Sequence, residues 1–570
     1  MQTEQVAAEA AVDAALTELA DGERAWSRLS LVARAELLDR VRELTGRHAR
    51  EWVDTAVAYK GIDPDSGLVG EEWMSGPYAL AAALRVLGDT LRALAAGTSP
   101  LAEATFGQAG DRVTVQVLPT SLYDELLLSG FRAEVWLRRG VSRAVARAEA
   151  GLAQRDPART GGIGAVLGAG NITSIAPLDT LYELLAHNRV VALKLNPVTD
   201  TLRPVLEKIL APLIEAGVVR VLTGGPEVGA YLVNHPAVAH VHMTGSAATH
   251  DAIVWGTGAE GAARKAAGTP LLEVPISSEL GGVSPTIVLP GTWSDADLAY
   301  QAEHIATQRL HNGGYNCVAA QAVIIAADWP QKAQFLAALR VAFDRAPGRP
   351  AYYPGSAART AAARATYPTA ERLGPDGNRT LVTGLRAAPE ETLLATEYFA
   401  PVLGVVEIPG TGAEFARAAV DAANDDFIGT LGVNVIAHPD TIAELGPVFD
   451  ELVERLRYGT IAINAWTAVG YLTPTASWGA YPGHTLDDVQ SGIGVVHNAW
   501  LIDGIERTVV RGPFRPAPRS VLHGEWALSP KPPWFVTNRT AGTTGRQLTD
   551  FAVDPRWSRL PAIFASALRG

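Results

Sequence analysis

One cysteine, three methionines and twelve histidines are all the soft or imidazole ligands that 570 residues offer. A lone thiol, Cys317, can form neither an intramolecular disulfide nor a multi-cysteine zinc site. No H-E-x-x-H or other tight His/carboxylate spacing supplies a metal site. Long apolar runs are also missing, since none approaches the roughly 18 residues that a membrane span needs. There is no basic surplus: 48 Lys and Arg face 60 Asp and Glu, for a net charge of −12 and a pI of about 5.5. That balance excludes a nucleic-acid binder relying on a general basic surface. No G-x-x-x-x-G-K-[ST] phosphate loop and no G-x-S-x-G elbow occurs. The opening MQTEQVAAEAAVDAAL lacks the basic-then-apolar order of a secretory signal. What is present is 48% apolar and 19% charged sequence, with 55 glycines and 36 prolines in no period. Disordered and fibrous classes fall away. The expectation is a cytoplasmic, multi-domain globular chain, with about three or four domains by length.

Along the chain the texture changes in blocks. The first hundred residues read as helices, with Leu29, Leu31, Val32, Leu37, Leu38, Val41 and Leu44 at mixed three- and four-residue spacings. Residues 112–140 alternate in DRVTVQVLP and FRAEVWLRRG, which predicts strands separated by a polar, Gly-containing connection. From Gly162 the pattern becomes strand, tight loop, helix: IGAVLG, RVVALK, VVRVL and AHVHM are four short apolar strands between helical segments. This is the signature of a parallel α/β sheet. Ligands on such sheets sit at the C-terminal strand ends, here Asn171, Lys194, Thr223 and Thr244. A second α/β region follows from about Leu271 to His484, and SDAD at Ser294 opens its clearest helix. IERTVVRGPFRP then reads as an exposed strand. A Pro- and Trp-rich tail leads to a short helix with Leu560, Ile563, Phe564 and Leu568 on one side.

Single motifs say little. GAGNIT at 168–173 lacks the third glycine of G-x-G-x-x-G and is as compatible with a plain turn as with a phosphate loop. A lone cysteine is more often a small buried hydrophobe than a nucleophile. Glu279 before Leu-Gly-Gly could cap a turn, Asn171 could be a left-handed turn residue, and Phe399 could be core. His311, six residues before Cys317, suggests a Cys–His hydrolase only weakly.

Taken together and in order, however, Asn171, Lys194, TGS at 244–246, SSELGG at 277–282, GGYNC at 313–317 and EYFAP at 397–401 resemble the aldehyde dehydrogenase superfamily. ARAELLDRVREL, AANDDFIGTLGVNV, YGTIAIN and SGIG extend the resemblance over roughly residues 20–512. It implies an α/β fold with a Rossmann-type cofactor domain (1–111 and 141–270) and an α/β catalytic domain (271–484). A β oligomerisation arm (112–140 and 485–512) would pair subunits into a homodimer or homotetramer, leaving an extension at 513–570. The same resemblance assigns roles. Cys317 would attack an aldehyde carbon as nucleophile. Asn171 and the Cys317 backbone N–H would stabilise the oxyanion, and Glu279 would activate water as general base. Lys194, Thr244, Gly245, Ser246, Gly281, Glu397 and Phe399 would hold NAD or NADP, with Ser246 at a helix N-terminus for the pyrophosphate.

Three departures from the family pattern matter. Pro197 stands where many members carry a ribose-binding glutamate, which makes NADP as admissible as NAD. His250 and Ala248 replace a glycine and an acid in the helix after TGS, so close approach of the pyrophosphate is in question there. The tail after about residue 512 has no family counterpart, and its last helix could either cover a substrate funnel or dock on its own domain. LNP at 195–197 also resembles the CoA-dependent acylating branch, against which Glu279 argues. A catalytically silent binding or assembly subunit is the remaining alternative.

Overall fold

The computed structural model describes residues 2–570, with side chains from residue 5 onward. The chain opens on two long helices, Gln2–Trp26 and Leu31–Lys60. Ser30 starts the second by accepting from the Ala33 amide, and Gly61 ends it at φ 63°, a left-handed conformation that only glycine adopts without strain. Buried Arg34 ties these helices to the rest, donating to Gln154 at 2.7 Å and Asn188 at 2.8 Å. After a π-turn over Met74–Tyr78 the helix Ala79–Ala95 packs back on Leu31–Lys60.

Next come three antiparallel strands, Phe106–Ala109 (β1), Arg112–Leu118 (β2) and Arg132–Leu137 (β3). The polar connection between β2 and β3 contains a short helix, Leu122–Leu127, closed by a Ser121/Asp124 capping box. None of its residues is buried. Its Leu122, Tyr123, Leu126 and Leu127 correct the polar reading of this connection: Tyr123 and Leu127 are half-buried and the other two exposed.

The strands Ile163–Leu167 (β4), Val190–Lys194 (β5), Val219–Leu222 (β6), Val238–Gly245 (β7) and Ile276–Leu280 (β8) form a parallel sheet in the order β8-β7-β4-β5-β6. The four apolar runs found in sequence are its first four strands. The chain runs one way from β4 to β5 and β6, then returns across to β7 and β8. The strand ends beside β4 thus form a switch point, where α/β sheets open a crevice. The fifth strand, β8, falls within residues 271–484 yet pairs with β7, with Glu279 opposite Thr244. Glu279 is thus delivered by this first sheet.

The second sheet contains Thr286–Val288 (β9), Ala322–Ala326 (β10), Glu371–Leu373 (β11), Arg379–Leu385 (β12), Val402–Ile408 (β13), Gly432–Ile436 (β14) and Thr460–Ile463 (β15). Trp478–Gly479 (β16) and Val495–Val496 (β18) make a small separate ladder, and Gly492–Ile493 (β17) adds antiparallel to β8. The last strand, Ile505–Arg511 (β19), lies between β3 and β15. It joins the first three strands to the second sheet as one eleven-stranded surface, β1-β2-β3-β19-β15-β14-β9-β10-β13-β12-β11. Thr508 faces Thr460 in a parallel pair and Val135 in an antiparallel one. This corrects the expectation of an exposed strand: six of its seven residues are buried because both of its edges are paired and both of its faces are covered.

The tail docks on its own chain. Its helix Ala541–Val553 packs against Val69–Trp73 and the π-turn, and the final helix Leu560–Ala567 packs on it. Phe551, Leu560 and Ile563 cluster with Tyr123 and Leu127 of the short helix between β2 and β3. Leu568, expected on that apolar side, is instead exposed. Among the described residues no helix is long and apolar enough to cross a membrane.

Candidate active site at the seam of two sheets

Cys317 stands in the loop between the helix Asp295–Leu310 and β10, just past a tight turn, His311–Gly314. Asn312, Gly313 and Gly314 are all left-handed there, with φ of 53°, 71° and 82°. At Gly314 a side chain would run into the Arg309 guanidinium and the Ala400 carbonyl. The glycines of GGYNC are thus backbone requirements of this loop. Buried Arg309 fastens both flanks of Cys317, donating to the Gly314 carbonyl at 2.6 Å and to the Ala319 carbonyl at 3.3 Å. Ser284 accepts a left-handed φ of 50° and donates to the Cys317 carbonyl at 3.2 Å. The thiol itself is half-buried and unpaired in any disulfide.

Glu279 comes to the thiol from β8 and Asn171 from the loop after β4. Glu279 is buried, and neither of its carboxylate oxygens has a hydrogen-bond partner. Burial, with the Asp179 charge behind it, raises its pKa to about 7, while Trp478 and the Cys317 thiol beside it pull the other way. Burial and then the Glu279 and Glu397 charges push the thiol well above its ordinary value. Asn171 donates its side-chain amide to the Tyr315 carbonyl at 2.9 Å. One of its two N–H groups is thereby anchored two residues from Cys317 and the other remains free to donate.

The crevice at the ends of β4, β5 and β7 is a cleft of about 970 Å³ that reaches from these groups to the strand-end residues found in sequence. Lys194, Thr244, Gly245, Ser246, Gly281, Glu397 and Phe399 all line it, with Cys317, Glu279 and Asn171 at its inner end. Burial lowers the Lys194 pKa, with Asp200 and Glu227 opposing. Ser246 caps the helix Ala247–Val254, accepting from the Thr249 amide at 3.2 Å. Thr244 is committed to the protein, donating to Asp179 at 2.9 Å. Glu397 lies against Gly281, where a Cβ would collide with its carboxylate. Burial raises Glu397 to about 8, with Arg309 opposing. Its Oε1 is a buried acceptor without a donor, which suits a ligand hydroxyl. Phe399 is held at φ 44° by Arg359, which donates to the Tyr398 and Phe399 carbonyls at 2.7 and 3.2 Å. A left-handed phenylalanine in a cleft wall is the kind of strain that marks functional positions. His250 is fully buried and absent from the cleft wall, where Thr249, Ala252 and Ile253 stand instead. Pro197 opens a short helix on the wall, with Asn196 as its cap. His311 belongs to the loop's support, its ring edge-on to Trp466 and its carbonyl accepting from Asn316.

Two clusters escaped the sequence reading. Lys60, fully buried, donates to Glu72 at 2.8 and 3.0 Å, to the Asn171 carbonyl at 3.1 Å and to Asn312 at 3.1 Å. It fixes the Asn171 loop and the cysteine loop to one point. A lysine ending a helix reads in sequence as a complement to the helix dipole, and nothing there pairs it with Glu72. Behind Glu279, Asp179 and Glu183 stand one turn apart on the buried helix Ile175–Ala186, opposite His242 and His240 of β7. His242 approaches Asp179 at 3.4 Å, His497 approaches its other oxygen at 3.6 Å, and His240 approaches Glu183 at 3.3 Å. Here a signal existed. Two acids at i, i+4 in IAPLDTLYELLA and two histidines at i, i+2 in AHVHM are facing rows of a helix and a strand.

An aldehyde dehydrogenase family model matches residues 138–351. Among curated proteins, the chain is 30% identical over 162 residues to an aldehyde dehydrogenase of a Fusarium species, covering 28% of this chain and 32% of that one. It is 26% identical over 308 residues to the D-glyceraldehyde dehydrogenase (NADP(+)) of Thermoplasma acidophilum, covering 49% and 56%. The matches thus span between about a third and somewhat over half of those relatives' lengths. Among solved structures, an aldehyde dehydrogenase of Pseudomonas syringae complexed with NAD+ and octanal superposes with a TM-score of 0.59 at 19% identity, over 89% of this chain and 90% of that one. An NAD-dependent aldehyde dehydrogenase of Sinorhizobium meliloti gives 0.57 at 19%, over 90% and 88%. Identities this low establish the fold alone: the chain has the fold of these aldehyde dehydrogenases, and its residues 138–351 match the aldehyde dehydrogenase family model.

Proposed function

We propose that this protein oxidises an aldehyde to a carboxylic acid with NAD or NADP through a covalent intermediate on Cys317. The observation that carries this reading is the convergence of a buried, hydrogen-bond-free Glu279, the Asn171 amide and the Cys317 thiol at the inner end of the 970 Å³ cleft. The residues present fit a dinucleotide: Glu397 Oε1 offers an unpaired buried acceptor, Lys194 a strand-end cation, and Gly281 and Gly245 clear backbone. When bound, the nicotinamide ring supplies the hydride acceptor.

The chain's own residues account for the rest. With its pKa raised, the resting cysteine is a thiol at neutral pH, and it loses its proton to water in the cleft as the sulfur attacks, which leaves Glu279 unprotonated for the later step. As the sulfur–carbon bond forms, the carbonyl oxygen gains negative charge, and the free Asn171 N–H and the Cys317 backbone N–H donate hydrogen bonds to it. Loss of hydride from the thiohemiacetal carbon leaves a thioester on Cys317. Glu279, with a pKa near the working pH, then takes a proton from water. The water oxygen bonds to the acyl carbon, the carbon–sulfur bond breaks, and the acid leaves. The free carboxylate of Glu279 favours hydrolysis over transfer of the acyl group to CoA.

Pro197 on the cleft wall places no carboxylate there to repel a 2′-phosphate, which supports use of NADP. The Thermoplasma relative's name points the same way. The domain division read from sequence, with the functional site between its first two parts, is part of this proposal. So is a homo-oligomer, whose contacts must lie elsewhere than at β19 and β15, which pair within the chain. The test is formation of reduced nicotinamide from an aldehyde panel, with NAD and NADP compared. Turnover is expected with both dinucleotides and is expected to vanish in Cys317→Ala. No reduction with any aldehyde, or full turnover in the variant, would overturn the reading.

A further inference from the structure

A second cavity, of about 540 Å³, lies behind the cysteine loop and shares Gly313 and Tyr315 with it. Its lining contains four arginines, Arg349, Arg364, Arg372 and Arg379, and no acidic residue. Two of these are accounted for. Arg349 pairs with Glu71 and Glu72. Arg379 spends its donors on the Phe343, Ala346 and Pro347 carbonyls, and Asp344 and Asp376 lie on its side.

Arg364 and Arg372 are different. Arg364 stands on the helix Ser356–Thr366 and donates through Nε to Thr380 at 2.9 Å and through one terminal nitrogen to the Gly377 carbonyl at 2.7 Å. Thr380 is the cross-strand partner of Arg372 in the β11–β12 ladder. The Thr380 contact therefore brings the two guanidiniums to the same side of the sheet. The neighbouring Glu371 points to the opposite face, where Arg340 holds it by two bonds of 2.7 Å. Among the described residues, no carboxylate lies within ion-pair distance of Arg364 or Arg372. Burial and the Arg372 charge both lower the Arg364 pKa.

Like charges set together without a counter-ion cost free energy that an anion would recover. Around them the walls are apolar, including Leu310, Pro350, Ala361 and Pro401. A simple salt site has no need of such walls. We propose that this cavity binds a small amphipathic anion, an organic phosphate or carboxylate whose head bridges Arg364 and Arg372 and whose apolar body lies on Leu310, Pro350 and Pro401. The inference stands on this geometry alone and does not depend on the dehydrogenase reading. Its relation to the active site is direct: the Tyr315 hydroxyl donates to Ser356 at 2.7 Å on the cavity side, while its carbonyl takes the Asn171 amide.

The experiment is calorimetric titration of the full chain with phenyl phosphate, phenylacetate and inorganic phosphate. Binding of phenyl phosphate or phenylacetate at one site per chain is expected, and the tighter of the two identifies the head group. Arg372→Glu, at an exposed position, and Arg364→Gln are each expected to weaken it at least tenfold, or about 1.4 kcal/mol, with the melting temperature of Arg372→Glu unchanged. Lys194→Ala, in the other cleft, is expected to bind as before. Three results would overturn the proposal: no binding of either organic anion, equal binding by Arg372→Glu, or binding lost only in Lys194→Ala. Inorganic phosphate binding as tightly as phenyl phosphate would remove the apolar part of the claim.

Discussion

The two sheets divide the work unequally. The six-stranded sheet ends in polar side chains that the proposed reaction draws on: Asn171 after β4, Lys194 on β5 and Glu279 on β8 meet one cleft, beside Thr244 on β7. The eleven-stranded sheet brings Cys317 to that cleft on a loop braced by Arg309, with Glu397 and Phe399 from the approach to β13. Its inner strands are packed core, as at β19, where Val509 and Val510 are buried between β3 and β15. The proposed chemistry therefore depends on the alignment of two separate sheet edges, and buried polar groups at the seam, Lys60 above all, hold them together. Substitutions in the strand ends, in the seam and in the scaffold should fail in different ways.

The largest effect is expected at the reacting groups. Cys317→Ser should abolish turnover, and Asn171→Ala should lower kcat about 100- to 1000-fold with the cofactor KM little changed, as loss of an oxyanion donor does. Steady-state kinetics with saturating dinucleotide measures both. Glu279→Gln should behave differently from either, giving a single burst of reduced nicotinamide per active site and then a rate lowered by about 100-fold or more; stopped-flow absorbance separates the two phases.

The seam comes next. Lys60→Met leaves Glu72 buried without its cation, at a cost of roughly 3–5 kcal/mol by analogy with other broken buried pairs. It should also lower kcat, because the Asn171 and Asn312 anchors go with it. Chemical denaturation and kinetics on the folded fraction check the two parts. In the scaffold, Val510→Ala should cost about 2 kcal/mol through lost burial and a cavity, with activity per folded molecule unchanged. A scaffold variant that altered kcat as Lys60→Met does would erase the contrast between the regions.

The smallest effect is a shift in pH dependence. A general base with a pKa of about 7 gives a hydrolytic rate that rises with pH through neutrality and levels above it. The Asp179 charge helps hold that pKa up, so Asp179→Asn should move the rise to lower pH, by about half a unit. Partial compensation is built in, because His242 owes its raised pKa to Asp179 and loses charge with it. The pH profile of single-turnover deacylation reads the shift without interference from the cysteine.

The legible part of the molecule follows the same divide. Strands β4 to β7 announce themselves as four apolar runs closed by Gly, Asn, Lys and Thr, and the ten candidate site residues all reach one cleft because strand ends and tight loops carry local sequence signals. Local signals could not reveal that β19 is interior, since the burial of Thr508 depends on Val135, 373 residues away in β3, and on Thr460, 48 away in β15. Nor could they reveal that β8 leaves the catalytic segment for the other sheet. Lys60 and Glu72 are helical residues of ordinary polarity until the fold buries both. The His242–Asp179 and His240–Glu183 pairs lay within reach of pattern reasoning, since both periodicities are visible, but only the fold sets the helix over the strand.

The central claim is that Cys317 carries the acyl group and Glu279 releases it. Intact-protein mass spectrometry of Glu279→Gln, incubated with aldehyde and dinucleotide and then quenched in acid, tests it most directly. The account predicts a mass increase of one acyl group per chain that maps to the Cys317 peptide and is absent from wild type after turnover ends. An unmodified Glu279→Gln protein, or the same adduct on a Cys317→Ser background, would contradict it.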